Sequence, residues 1–280
     1  MRFLFIYIGE SYRKGGQYSR TRGHPESVQG QETACVSHMA FMAHLLSEHI
    51  ASRCDVIINT YTTLYDNDLK AIYAPWTINS KFNDNVVGYT SLFLDSLSMI
   101  RDNLNDYHYV MFIRIDLYLK PLFTSKFVEY YKKKRLTNSI TYSSVCWLKG
   151  CEVRHGPCAY PRIADMMVGV PSLLFRVFDE KALILEHNGY VNLIKHGVVK
   201  ENIGFFVETY HDSDSEKDWN PLYRIVNRSE CDKKKWYSKG YVMDQLTFEK
   251  IPSDENYDDP QAIFIMSLGK FGPPFRTGHA

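Results

Sequence analysis

The segment YHYVMFIRIDLYLKP, residues 107–121, sets an apolar and aromatic run, Tyr109–Ile113, against Arg114, Asp116 and the closing Pro121. A short apolar run of this kind reads as a strand buried on both faces. Continued alternation puts Arg114, Asp116 and Tyr118 on one side and Ile113, Ile115 and Leu117 on the other. A buried aspartate without a partner would cost several kcal/mol or become protonated, so Asp116 requires a cation. Two partners answer. One is Arg114, in a salt bridge at the strand edge. The other is a divalent metal held against a diphosphate, with Arg114 orienting the carboxylate or adding positive charge.

Upstream of this strand the pattern is regular. FLFIYI (3–8) reads as a first strand, ETACVSHMAFMAHLLSEHIAS (32–52) as a helix, CDVIINTY (54–61) as a second strand and SLFLDSLSMIRDNL (91–104) as a helix leading into the opening segment. Residues 64–87 read as irregular, and His38, His44 and His49 as a solvent-facing stripe. Strand–helix–strand–helix–strand predicts a mostly parallel sheet flanked by helices, an α/β single Rossmann-like domain. Between the first strand and helix lies a polar loop of about twenty residues carrying Arg13, Lys14, Arg20 and Arg22, read as a mobile basic flap. Downstream, helix 125–135, strand 139–147, strand 166–170, helix 172–187 and strand 222–228 are expected, with a less regular segment at 204–219. No repeat or linker divides the chain. We expect one domain over residues 1–280, with 1–121 the nucleotide-binding half and 122–280 the acceptor-binding half.

Bulk properties narrow the partners. A net charge of +1 gives no electrostatic grip on nucleic acid or an anionic membrane. No stretch approaches the roughly 20 apolar residues of a membrane span. The first strand is not followed by a cleavage site, so it does not read as a signal peptide, and a cytoplasmic location is expected. The six cysteines form no CxxC pair and are expected to be reduced. The spacing of Cys146, Cys151 and Cys158 around His155 matches no common zinc pattern. Asn227-Arg228-Ser229 is a glycosylation sequon only formally in that compartment. Twenty tyrosines suit dense packing and also suit clefts that stack bases or sugars.

The Arg114–Tyr118 stretch, after an apolar strand and a preceding helix, resembles the DxD region of GT-A glycosyltransferases, whose acidic motif binds the metal–diphosphate of a nucleotide sugar. The resemblance extends loosely over most of the chain, including Ala164–Met167. Within the group the chain looks most like the small stand-alone sugar transferases of large algal DNA viruses, the chlorovirus type, and among these the xylosyltransferase. It departs from the motif at Tyr118, where a second aspartate would stand.

The resemblance implies a GT-A-like fold and transfer of a sugar, xylose as first choice, from a UDP-sugar donor to a glycan or glycoprotein acceptor. A divalent metal, Mn2+ or Mg2+, would assist, the reaction would invert the anomeric centre, and the setting would be capsid-type glycan synthesis in host cytoplasm. Asp165 is the first candidate for the base and Glu208 the second. Asp116 and His211 are the candidate metal ligands. Tyr7, Gly9, Arg13, Tyr61, Arg114, Asp116 and Tyr118 are the candidate nucleotide-sugar contacts. The alternative is a non-catalytic nucleotide- or glycan-binding relative of the same fold. A phosphate-cradling loop ending in Lys-Ser/Thr, as in kinases, is absent from residues 9–31.

Overall fold

A computed structural model describes residues 1–14, 21–85, 88–146, 162–163, 167–175, 203–211 and 222–226. Strands β1 (Arg2–Gly9), β2 (Arg53–Tyr61), β3 (Thr77–Asn83) and β4 (Tyr109–Arg114) lie side by side in the order β3-β2-β1-β4, all parallel. Beyond β4 the sheet continues through β8 (Met167–Pro171) and β6 (Ile140–Cys146) to β7 (Arg162–Ile163). The β4–β8, β8–β6 and β6–β7 pairings are antiparallel, and β9 (Ile203–His211) pairs in parallel with β6. The expected α/β architecture with a mostly parallel central sheet is therefore the observed one.

Alternation along the central strands explains their unbroken apolar runs. Phe3, Phe5 and Tyr7 of β1 and Tyr109, Met111 and Ile113 of β4 enter one core; Leu4, Ile6, Ile8, Val110 and Phe112 enter the other. The first core is capped by α1 (Val28–Ser47), α2 (Asp66–Tyr73) and α4 (Pro121–Lys132), which contribute Phe41, Met42, Leu45, Leu69, Tyr73, Phe123 and Phe127. The second is capped by α3 (Tyr89–Ile100) through Phe93, Leu97 and Ile100. Both faces of the sheet are thus covered, as parallel strands require.

Several boundaries differ from expectation for identifiable reasons. Helix α1 starts four residues before Glu32, at Val28, and stops at Ser47 because His49 takes a left-handed φ of 56°. Ile50 N then bonds Leu45 O, and His49 N bonds Leu46 O, closing a Schellman cap. Lys134, φ 57°, ends α4 in the same way, with Arg135 N on Tyr130 O and Lys134 N on Tyr131 O. Pro121 begins α4 instead of ending a strand, since the first helical turn has no use for its missing N–H. The 64–87 stretch is not irregular. It holds α2 and β3, and β3 went unrecognised because this edge strand, TINSKFN, lacks a buried alternating face. Segment 204–219 begins as strand β9, whereas the helix expected at 172–187 is described only over Ser172–Phe175.

Candidate active site

The carboxyl ends of β1, β2 and β4 come together at one edge of the sheet. Ile8 is paired with Asn59 on one side and Arg114 on the other, and Gly9 with Thr60. Gly9 has φ +113°, a conformation that a Cβ would strain. The chain then folds back: Thr60 Oγ1 donates to Gly9 O at 2.8 Å and accepts from Ser11 N at 3.2 Å.

Glu10 follows and is almost buried, with Arg13 Nη1 at 3.3 Å and Arg22 Nη2 at 3.0 Å. The Arg22 guanidinium lies 4.1 Å above the Tyr61 ring at the end of β2, a cation–π contact. The expected basic flap is therefore, over its described residues, docked: Arg13 and Arg22 flank Glu10, and Lys14 pairs with Glu26.

The decisive strand does not run straight through its polar end. It stops at Arg114, turns at Ile115-Asp116 and resumes as β5 (Leu117–Leu119). The continuous alternation expected through Tyr118 is thus broken. Arg114 still reaches Asp116, Nε to Oδ1 at 3.0 Å and Nη2 to Oδ2 at 2.5 Å, a bidentate fork with the Asp116 side chain 2% exposed. Of the two cations considered for Asp116, Arg114 is the partner in this structure.

The turn is clamped from both sides. On one, β5 pairs antiparallel with β10 (Tyr223–Ile225), and Val226 N donates to Asp116 O at 2.9 Å. On the other, α1 stands in for a neighbouring strand. Gln31 Nε2 donates to Ile115 O at 2.8 Å, His38 Nε2 to Leu117 O at 2.6 Å, and Leu119 N to Ser37 Oγ at 2.9 Å. Gln31 Oε1 also accepts from Tyr12 N at 3.0 Å, so one amide links the loop after β1 to the turn after β4.

His38 is wholly buried, not solvent-facing as expected, with its ring stacked on Tyr7 at 4.3 Å. Since a carbonyl only accepts, Nε2 carries the proton, and Nδ1 accepts from Tyr73 Oη at 2.6 Å. Burial pushes its pKa down to about 3, against the opposing pull of the Leu117 carbonyl and Asp116. Sequence reading missed Gln31 and His38 as site-builders. The signal was present: Gln31, Cys35 and His38 share a helix face with Met42 and Leu45, and polar residues on a core stripe require partners.

The remaining candidates fall as follows. Tyr7 and Tyr118 are buried, at 0% and 1% exposure, Tyr7 in the core under α1 and Tyr118 against Ala34 and Val226. Neither presents a face to a base, a correction that follows from the burial of β1 and of β5. Gly9, Arg13, Tyr61, Arg114 and Asp116 do share the strand-end edge. Glu208 and His211 lie on β9, whose Ser144↔Val207 and Cys146↔His211 register places them at its far end. Asp165, like Cys151, Cys158, His155 and Asn227, lies outside the described residues.

The donor set does not fit a divalent metal at Asp116. Both carboxylate oxygens are engaged by Arg114, and among the described residues no group of three His, Cys, Asp or Glu side chains converges.

No protein-family model and no curated protein matches the chain. Among solved structures it is similar to a protein provisionally assigned as a nucleotide-diphospho-sugar transferase from Desulfovibrio desulfuricans G20, at 10% identity and TM-score 0.44, over 95% of this chain and 97% of that one. It is similar to the galactosyltransferase LgtC, crystallised with donor and acceptor sugar analogs, at 11% identity and TM-score 0.38, over 77% and 75%. It is also similar to glucosyl-3-phosphoglycerate synthase from Mycobacterium tuberculosis, crystallised with Mn2+, UDP and glucosyl-3-phosphoglycerate, at 13% identity and TM-score 0.41, over 88% and 80%. Likenesses at this level carry no correspondence of site residues.

Proposed function

We propose that the chain is a UDP-sugar-dependent glycosyltransferase of the GT-A type. One observation carries this reading. Strands β1 and β4 are neighbours in the sheet but not in sequence, and α1 and α3 cover opposite faces. The order of strands therefore reverses between them, and open α/β sheets bind ligands in the crevice at such a point, beyond the strand carboxyl ends. Here that crevice is flanked by Gly9, Arg13 and Arg22 on one side and the Arg114–Asp116 turn on the other.

In this reading the UDP diphosphate lies over the β1 and β4 ends, and the Tyr61–Arg22 stack borders the nucleoside. Xylose is the first sugar to test and a glycan hydroxyl the acceptor, with capsid-type glycans as the setting. The acceptor oxygen attacks the anomeric carbon from the side opposite the diphosphate. The bond to UDP breaks with its electron pair going to the leaving phosphate, and the configuration inverts. Asp165 is proposed as the base that takes the acceptor proton, with Glu208 as the second choice. The arginines at the strand ends offset charge on the departing UDP.

The test is a thermal-shift panel of nucleotide sugars on the full chain, followed by assay of UDP release. Stabilisation by one UDP-sugar with slow hydrolysis is expected. Binding without UDP release in the presence of any glycan acceptor would favour the non-catalytic nucleotide- or glycan-binding relative. No shift with any nucleotide would remove the assignment.

A further inference from the structure

We infer that this site binds its nucleotide diphosphate without a divalent cation at Asp116, because Arg114 already occupies the cation's place. The inference rests on the nucleotide-binding reading above and concerns the ligand chemistry of the same crevice.

A metal-binding acidic motif would use two positions. At the first, Asp116 turns both oxygens to the guanidinium of Arg114, and its side chain is 2% exposed. Recruiting a metal there would break a buried bidentate pair and strand one of its charges, the costly way to lose such a pair. At the other position stands Tyr118, which cannot serve as a carboxylate ligand and is packed between α1 and the β10 end.

The backbone is equally committed. Ile115 O, Leu117 O and Asp116 O are held by Gln31, His38 and Val226, so the turn is fixed in the form that delivers Asp116 to Arg114. Arg114 is the more exposed of the pair, at 14% against 2%. The accessible part of the pair is therefore the guanidinium, and the carboxylate is its buried part. Glu10 is likewise bracketed by two guanidinium groups, Arg13 buried beside it and Arg22 the more exposed at 25%. Each carboxylate at this edge thus serves to orient guanidinium groups, and guanidinium groups are suited to phosphate.

The test is calorimetric titration of the EDTA-stripped full chain with UDP, without metal and with millimolar Mn2+. Equal affinity in the two conditions, within about a factor of three, is expected. Affinity at least about tenfold tighter with Mn2+ would overturn the inference while leaving the nucleotide site standing. Failure of UDP and every other nucleotide to bind in either condition would overturn the nucleotide reading and the inference with it. Asp116→Asn supplies a second arm, read as the ratio of UDP affinity with and without Mn2+. A ratio within about threefold of one is expected in wild type and variant alike, whatever the substitution does to the affinity itself. A ratio above about tenfold in the wild type that collapses in the variant would return Asp116 to the role of metal ligand.

Discussion

Gln31 on α1 donates its side-chain amide to the carbonyl of Ile115 at 2.8 Å, fixing the turn that carries Asp116 to a helix that begins far upstream. The same amide accepts from Tyr12 N, and Tyr12 itself holds a left-handed φ of 49°. Both walls of the crevice therefore share one support.

Gln31→Leu leaves two buried backbone groups, Tyr12 N and Ile115 O, without that support. A loss of about 2–4 kcal/mol is expected in urea unfolding. Nucleotide affinity should fall on the order of tenfold as the walls lose their preorganisation. A variant with reduced stability but wild-type UDP affinity would show that the walls hold their spacing without Gln31.

His38 predicts a pH dependence. The unfolded chain protonates this histidine near 6.5, while the folded protein, which buries it neutral, resists until about 3. Its contribution to stability is therefore complete above 6.5 and is lost as pH falls through this window, at about 1.4 kcal/mol per pH unit. Between pH 6.5 and about pH 5 the unfolding free energy should drop by about 2 kcal/mol. In His38→Gln that slope should flatten, and an unchanged slope in the variant would place the titrating group elsewhere.

How much of this was legible in the sequence depended on how local the signal was. The buried strands β1, β2 and β4 announce themselves because both faces are covered and each carries a continuous apolar run, Phe3–Ile8, Val56–Ile58 and Tyr109–Ile113. The edge strand β3 does not, since Ile78 and Lys81 face solvent and nothing selects its register except the neighbouring β2. Asp116 declared its need for a cation, but sequence could not choose between Arg114 and a metal. That choice is made by the turn at Ile115, which is set by Gln31, His38 and Val226, none of them near in sequence. Tyr7 shows the reverse: a tyrosine near a strand end looks available in the sequence, and helix α1 covers it in the fold.

Gly9→Ala tests the backbone at the β1 end. The new Cβ would sit 4.0 Å from Arg114 Cγ, an ordinary contact, so the cost lies in the φ of +113°. A loss of about 1–3 kcal/mol is expected. Chemical denaturation measures it, and a neutral effect would mean that the chain relaxes to negative φ without cost.

Tyr7→Phe separates core from site. The Tyr7 hydroxyl is buried without a hydrogen-bond partner among the described residues, and burial pushes its pKa well up. Removing it should leave stability unchanged or raise it by about 1 kcal/mol, with UDP binding intact. Weaker UDP binding in this variant would restore Tyr7 as a nucleotide contact.

The hydrogen bond from Val226 N to Asp116 O has a consequence during synthesis. Strands β1 to β4 can pair once the chain has been made as far as Arg114, since all four strands then exist. The clamp on Asp116 waits for a segment made roughly a hundred residues later, a long loop to close. Until then the Asp116 turn has α1 on one flank and nothing from β10 on the other. A nascent chain stalled before Leu222 would carry the strands of the crevice but not its finished wall, and competence to bind a nucleotide would arrive as one of the last events of folding.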